Sequence, residues 1–259
     1  MKARNAAVAG LFYPGEAATL GRTVEALLAA APADRVPAKA LIVPHAGYRY
    51  SGPVAAAAYR LLEDRRALIR RVVLLGPAHR VYLRGMALPS VDAFATPLGD
   101  VPIDTDAVRQ ALALPGMQLS DDAHAMEHSI EVHLPFLQSV LDDFTLVPIV
   151  VGACPAREVE AAIDMLWGGD ETLIVVSSDL SHFHAYSDAQ AIDANTTARI
   201  EAREATLDGD EACGAFALNG LMLAAKRRGL KVRTLDVRNS GDTAGDRSRV
   251  VGYGAYALA

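Results

Sequence analysis

The sequence predicts an α/β protein with a largely parallel central sheet and helices on both faces, and three observations carry that expectation. Apolar runs of strand length recur along the 259 residues, at Leu41-Ile42-Val43, Val72-Val73-Leu74-Leu75 and Leu173-Ile174-Val175-Val176. No polar residue alternates within them, as suits strands buried on both faces. Each run stops where Gly, Pro, Ser or Asp turns the chain, and stretches with helical spacing fall between the runs.

In chain order, a segment from Ala6 to Tyr13 comes first. A Pro-Gly turn then leads into an amphipathic helix over Ala17 to Ala31, with Leu20, Val24, Leu27 and Leu28 on one face. A strand over Ala40 to Val43, a helix over Pro53 to Asp64 and a strand over Arg71 to Leu75 follow. Val81 to Val101 carries short apolar pieces broken by Pro89, Pro97 and Gly99, and reads as a small β excursion or a lid. Helices are expected near Thr105 to Leu112 and over Met126 to Leu141, then a strand Thr145 to Val151, a helix Pro155 to Trp167 and a strand Thr172 to Ser177. Two more helices, Asp188 to Arg203 and Asp210 to Arg228, precede strands Lys231 to Val237 and Val250 to Leu258. No repeat, low-complexity tract or linker interrupts this series, so residues 1–259 read as one domain.

Composition narrows the function classes. A hydrophobic fraction of 51%, a charged fraction of 22% and a net charge of -6 describe a globular chain without a nucleic-acid-binding surface. The dense basic clusters, Arg65-Arg66 with Arg70-Arg71 and Lys226-Arg227-Arg228, sit where helices should end and cations favour the dipole. Cys154 and Cys213 form no C-x-x-C pattern and read as packed thiols, with neither a disulfide framework nor a structural zinc site. The first residues hold no long apolar stretch, and no run reaches the roughly 18 residues of a membrane span; the expected location is cytoplasmic, off the membrane.

The histidines carry the chemistry. His45 follows the first apolar run, His79 the second, and Asp179, His182 and His184 the third. The carboxyl ends of parallel strands lie along one sheet edge, where ligand crevices form, and neutral imidazole is the commonest metal ligand. His45 and His79 are therefore candidate metal ligands. His182 is a third ligand or an acid/base group, while Asp179 orients an imidazole or caps a helix. The run Asp121 to His133 is not H-E-x-x-H; on a helix it would carry Glu127, His128 and Glu131 toward the crevice or out to solvent. Asp242, in Asn239-Ser240-Gly241-Asp242, is a carboxylate ligand or an ordinary turn residue.

Six ordered blocks resemble the Memo family, whose bacterial and archaeal members are also called AmmeMemoRadiSam system protein B. They are Ala7 to Pro14, Pro44-His45-Ala46-Gly47-Tyr48, Gly76-Pro77-Ala78-His79, Glu127-His128-Ser129-Ile130-Glu131-Val132-His133-Leu134-Pro135, Ser177-Ser178-Asp179-Leu180-Ser181-His182 and Ser240-Gly241-Asp242. The resemblance implies a fold similar to class III extradiol dioxygenases, with His45 and His79 at the two histidine metal positions and His182 facing the site. Eukaryotic members place a cysteine at the third ligand position; Thr243 falls there, with Asp242 adjacent. With Asp242 supplying the carboxylate, a two-His-one-carboxylate set suits Fe(II), with Cu or Zn as alternative ions. The implied function is a dioxygenase-like oxidoreductase acting on a small substrate, with Asp179 and His182 catalytic and Tyr48, Glu127, His128 and His133 against the substrate. The alternatives are a peptide or small-ligand binding module with a vestigial metal site, and a metal-dependent hydrolase. Proteins of the AmmeMemoRadiSam system are the expected partners.

Overall fold

The computed structural model describes residues 2–33, 36–243 and 245–259. In chain order the elements are β1 (Ala3–Arg4), α1 (Ala17–Ala30), β2 (Ala40–Val43), α2 (Tyr48–Tyr59), β3 (Arg71–Pro77), β4 (Met86–Leu88), β5 (Ala93–Thr96), β6 (Gly99–Pro102), α3 (Thr105–Ala111), β7 (Met117–Leu119) and α4 (Asp121–Ala125). They continue with α5 (Leu134–Val140), β8 (Thr145–Val151), α6 (Ala156–Met165), β9 (Thr172–Ser177), β10 (His182–His184), α7 (Tyr186–Glu201), α8 (Ala215–Arg228), β11 (Val232–Asn239), α9 (Ser240–Thr243) and β12 (Val250–Leu258).

The main sheet runs β10-β12-β2-β9-β3-β8-β4-β7, with β11 on the other side of β12. Its inner strands β2, β9, β3 and β8 are mutually parallel, and the apolar runs seen in the sequence are buried in them. The sheet as a whole is mixed, which corrects the expectation of a largely parallel one. β12 is antiparallel to β2, β10 and β11, and β4 is antiparallel to β8. The inner strands are joined by long, helix-bearing crossovers that restore direction. By contrast β8 and β4, and β11 and β12, run side by side in opposite directions, and of these only β11 and β12 are consecutive strands. The stretch Val81 to Val101 is the β excursion: β4 joins the main sheet, while β5 pairs with β1 and β6 in a separate three-stranded sheet.

The helices pack as their stripes direct. Leu20, Val24 and Leu28 of α1 are buried. α8 ends on Lys226, Arg227 and Arg228 and is capped by Gly229 at φ +72°, a conformation glycine adopts without strain. Arg227 and Arg228 pair with Asp164 on α6, and Arg66 pairs with Asp142. Both basic clusters are thus tied to neighbouring acids. No helix among the described residues is long and apolar enough to cross a membrane.

One expected helix does not form as read. Residues 126–130 are irregular, Glu131–His133 is a single 3-10 turn, and only Leu134–Val140 is α-helical. The cause is Glu127, whose Oε1 accepts the N–H groups of both His128 (2.9 Å) and Ser129 (2.9 Å). A side chain that takes those donors offers the backbone a turn in place of a helical ladder.

Candidate metal centre

Three parallel strands deliver the site with one offset. His45 stands two residues past β2, His79 two past β3 and Asp179 two past β9, so all three emerge from the same sheet edge. The irregular segment held open by Glu127 adds His128. One ring nitrogen from each of His45, His79 and His128 lies within 4.8 Å of the others. The rings of His79 and His128 stack at 4.7 Å, and both meet His45 at steeper angles, at 5.1 and 5.4 Å.

Two of the three rings have an assignable tautomer. Ser177 Oγ donates to the Ser129 carbonyl (2.6 Å), which spends its only proton. It must therefore accept from His45 Nδ1 (2.6 Å), and His45 Nε2 is left as a bare lone pair. The Glu127 carboxylate accepts from His79 Nδ1 (3.0 Å) and from the His79 backbone N–H (2.6 Å), which leaves His79 Nε2 bare in the same way. Carboxylate and hydroxyl partners behind an imidazole are how metal-binding histidines are oriented. Burial alone would raise the Glu127 pKa, but the donors from His79 and Ser129 outweigh it and hold the carboxyl at about 2. Buried His128 Nδ1 stands 3.3 Å from Glu127 Oε1 without the geometry of a hydrogen bond.

The local field disfavours imidazolium. Burial first, and then the neighbouring His79 and His128, push His45 well below its ordinary value; burial brings His128 to about 4. Asp179 is buried, and desolvation lifts its carboxyl to about 7 against the opposing hydrogen bonds from the 45–46 backbone. Its Oδ1 accepts His45 N–H (2.8 Å), while Oδ2 stands 3.9 Å from His45 Nε2. Asp179 therefore fixes the loop that carries His45, and it caps no helix.

His182 lies where two cavities meet. One, about 440 Å³, is walled by Phe12, Tyr50, Phe183 and Tyr253 and reaches His128 and Asp179. The other, about 730 Å³, is reached by His79, His184 and Cys213 and floored by Asp208, Asp210 and Glu211. The β10–β12 register slips between His182 and His184, so Phe183 is the extra residue of a bulge, with φ +64°. That bulge turns both histidines into one cavity. Burial lowers the His182 pKa, favouring a neutral ring.

Other expected site residues stand elsewhere. Asp242 is not in the nitrogen group: its carboxylate accepts from Tyr186 Oη (2.5 Å) and the Asn239 N–H (3.0 Å), as a turn-closing residue does. Tyr48, the first residue of α2, is buried; its N–H donates to Phe12 O (2.8 Å) and its hydroxyl to Val132 O (2.8 Å). His133, on the 3-10 turn, points into the core against the Tyr59 hydroxyl (2.8 Å). Glu131 faces neither cavity. Fully buried, it pairs with Arg4 and accepts Ala7 N–H (2.7 Å), Val8 N–H (3.0 Å) and Tyr13 Oη (2.5 Å). It thus clamps the N-terminal segment that sets the Phe12 ring 4.8 Å from His128. The sequence showed the Glu127-His128 pair but held no signal for Ser177, Arg4 or Cys213, whose partners are remote in the chain.

Residues 4–257 match the family described as Memo-like protein. A MEMO1 family protein of Aquifex aeolicus is 35% identical over 265 residues, covering 98% of each chain. One from Archaeoglobus fulgidus is 36% identical over 269 residues, covering 96% of this chain and 97% of its own. Among solved structures, an uncharacterized protein from Escherichia coli K12 superposes with a TM-score of 0.54 over 85% of this chain and 99% of its own. At 14% identity, that likeness speaks to the fold alone.

Proposed function

The chain belongs to the Memo-like family, and we propose that it is a metal-dependent enzyme holding a divalent transition ion at His45, His79 and His128 beside a small-substrate cavity. The observation that carries this reading is the set of three ring nitrogens within 4.8 Å, beside which Ser177 and Glu127 place the ring protons of His45 and His79 on Nδ1. Neutral imidazoles suit Fe, Cu and Zn. We take Fe(II) as the ion and a dioxygenase-like oxidation as the reaction class, with a scaffold akin to class III extradiol dioxygenases. Fe(II) would supply the means to bind and reduce O₂.

The chain's own groups do the rest. Ser177 and Glu127 keep the Nε2 lone pairs of His45 and His79 unprotonated. Phe12, Tyr50 and Phe183 wall the smaller cavity with aromatic surface. His182, at the junction of the cavities, is placed to take a proton from a bound hydroxyl group, because a neutral imidazole accepts one. Asp179 holds the His45 loop. A second reading, metal-assisted hydrolysis, is favoured by the all-imidazole donor set, which is that of hydrolytic and hydrating zinc sites.

The test is reconstitution of anaerobically purified protein with Fe(II), Zn(II) or Cu, followed by metal analysis and assays of O₂ uptake and ester hydrolysis. One equivalent of metal is expected for wild type and almost none for His45→Ala or His79→Ala. His182→Ala should retain metal and lose turnover. Metal uptake without turnover of either kind would leave a binding module for a peptide or small ligand. No uptake by wild type would refute the metal centre.

A further inference from the structure

The Ser129 side chain has no part in the chemistry above, yet it is fully buried and all three polar groups of the residue bond to the segments that carry the histidines. Its N–H donates to Glu127 Oε1 (2.9 Å), the oxygen that holds His79 Nδ1. Its carbonyl accepts from Ser177 Oγ (2.6 Å), the hydroxyl that holds His45 Nδ1. Its own hydroxyl donates to Pro77 O (2.8 Å), two residues before His79. His128 directly precedes it in the chain, so one residue joins the supports of all three rings.

Strand pairing shows what this residue does. β3 and β9 pair only as far as Leu75 with Val176, whereas β3 continues along β8 to Pro77 and β9 continues along β2 to Ser177. The two strands therefore part at their carboxyl ends, and Ser129 bonds to both sides of the gap. A buried carbonyl without a donor is costly, and the seryl hydroxyl gives the Pro77 carbonyl one where β9 does not. Gly76 makes the insertion possible. A Cβ there would stand 2.6 Å from Ser129 Oγ and 3.0 Å from Ser129 Cβ, closer than side chains pack, so the need at position 76 is for space.

Resting on the metal-centre reading, we propose that Ser129 is a positioning residue: a wedge between the ends of β3 and β9, seated on Gly76, that presets the spacing of His45, His79 and His128 before any ion binds. The hydroxyl is the part of this device open to substitution, because the N–H and carbonyl bonds belong to the backbone. Without the hydroxyl, the Pro77 carbonyl loses its donor and the end of β3 is free to shift against β9, carrying His79 away from His45. Metal binding must then order the ligands as well as join them, and affinity falls.

Ser129→Ala removes the hydroxyl alone, and Thr197→Val, which removes a hydroxyl bonded to Tyr256 Oη (2.8 Å) away from the histidines, is its control. Competitive titration with Zn(II) and ligand-field spectra with Co(II) read the centre, while urea denaturation reads the fold. Folded Ser129→Ala should bind Zn(II) about tenfold or more less tightly, the scale of losing a group behind a ligand, and its Co(II) bands should shift from those of wild type. Thr197→Val should match wild type in both. Wild-type affinity and bands in Ser129→Ala, or an equal loss in Thr197→Val, overturn the proposal. Should Ser129→Ala fail to fold, proton NMR of metal-free wild type decides: the Nδ1–H protons of His45 and His79 should be resolved and slow to exchange with water, and free exchange of either refutes a preset spacing. Absence of Zn(II) binding to wild type by equilibrium dialysis would instead overturn the metal centre itself, and with it any role of Ser129 there.

Discussion

Glu127→Gln is the substitution that most directly probes how the histidines are held. The native carboxylate accepts four N–H groups on two oxygens: His79 N–H on Oε2, and His79 Nδ1–H, His128 N–H and Ser129 N–H on Oε1. A carboxamide has one oxygen. Its better orientation keeps the three-donor side and sets its NH₂ against the His79 N–H, leaving that buried donor unpaired at a cost of about 1–3 kcal/mol. Charge adds a pH signature. The folded pKa of about 2 lies below the ordinary 4.5, so the carboxylate contributes stability above pH 4.5 that is lost as pH falls toward 2. The difference corresponds to about 3 kcal/mol. The variant should therefore unfold in less urea at pH 7, with a shallower acid dependence below pH 4.5. Its metal affinity should drop about 10- to 100-fold, because the ring of His79 is no longer held by a charged partner. Urea titrations at several pH values and a competitive metal titration read both effects. A folded variant with metal affinity within about twofold of wild type would show that Glu127 does not orient His79.

Breaking the N-terminal clamp with Glu131→Ala should cost about 3–5 kcal/mol in chemical denaturation, since it strands the buried Arg4 guanidinium; Arg4→Met combined with Glu131→Leu should recover only the share owed to that charge, because the Ala7 and Val8 N–H groups and the Tyr13 hydroxyl still lose their acceptor. His128→Ala should abolish metal retention as His45→Ala does, while Asp242→Asn should leave it intact; metal analysis after anaerobic reconstitution distinguishes the two. Burial holds His124 at about 4 and His133 at about 3, so the unfolded chain takes up their protons first. Their stability contribution is complete above pH 6.5 and erodes as pH falls from there toward 4, by about 3 kcal/mol for His124 alone. Melting temperature against pH should flatten over that window in His124→Phe, and an unchanged slope would contradict it.

The strands were legible because burial on both faces writes itself as uninterrupted apolar runs; β12 begins and ends at Val250 and Leu258 as the sequence reading has it. Strand direction was not legible, because it depends on which neighbour a strand meets after its connection. The helix expected over Met126 to Leu141 failed since helical spacing says nothing of a Glu127 side chain that bonds its own backbone. At the site, the strand-end positions of His45 and His79 were readable from local sequence. The recruitment of His128 and the approach of Cys213 were not, as each depends on contacts remote in the chain, 48 residues apart for Glu127 and His79 and 168 apart for Cys213 and His45.

β12 has a consequence for how the chain acquires its fold during synthesis. It pairs with β2 on one side and β11 on the other, and its residues 250–258 emerge from the ribosome after every other strand. Until then β2, which leads to His45, has an uncovered edge next to the parallel strands, and the wall formed by Tyr253 and Val251 is missing from the smaller cavity. A nascent chain stalled before residue 250 would thus expose an apolar strand edge to other copies. The proposed metal centre would be complete only after β12 has been added, once its Gly252 has exchanged backbone hydrogen bonds with Leu180 and Ser181 beside Asp179.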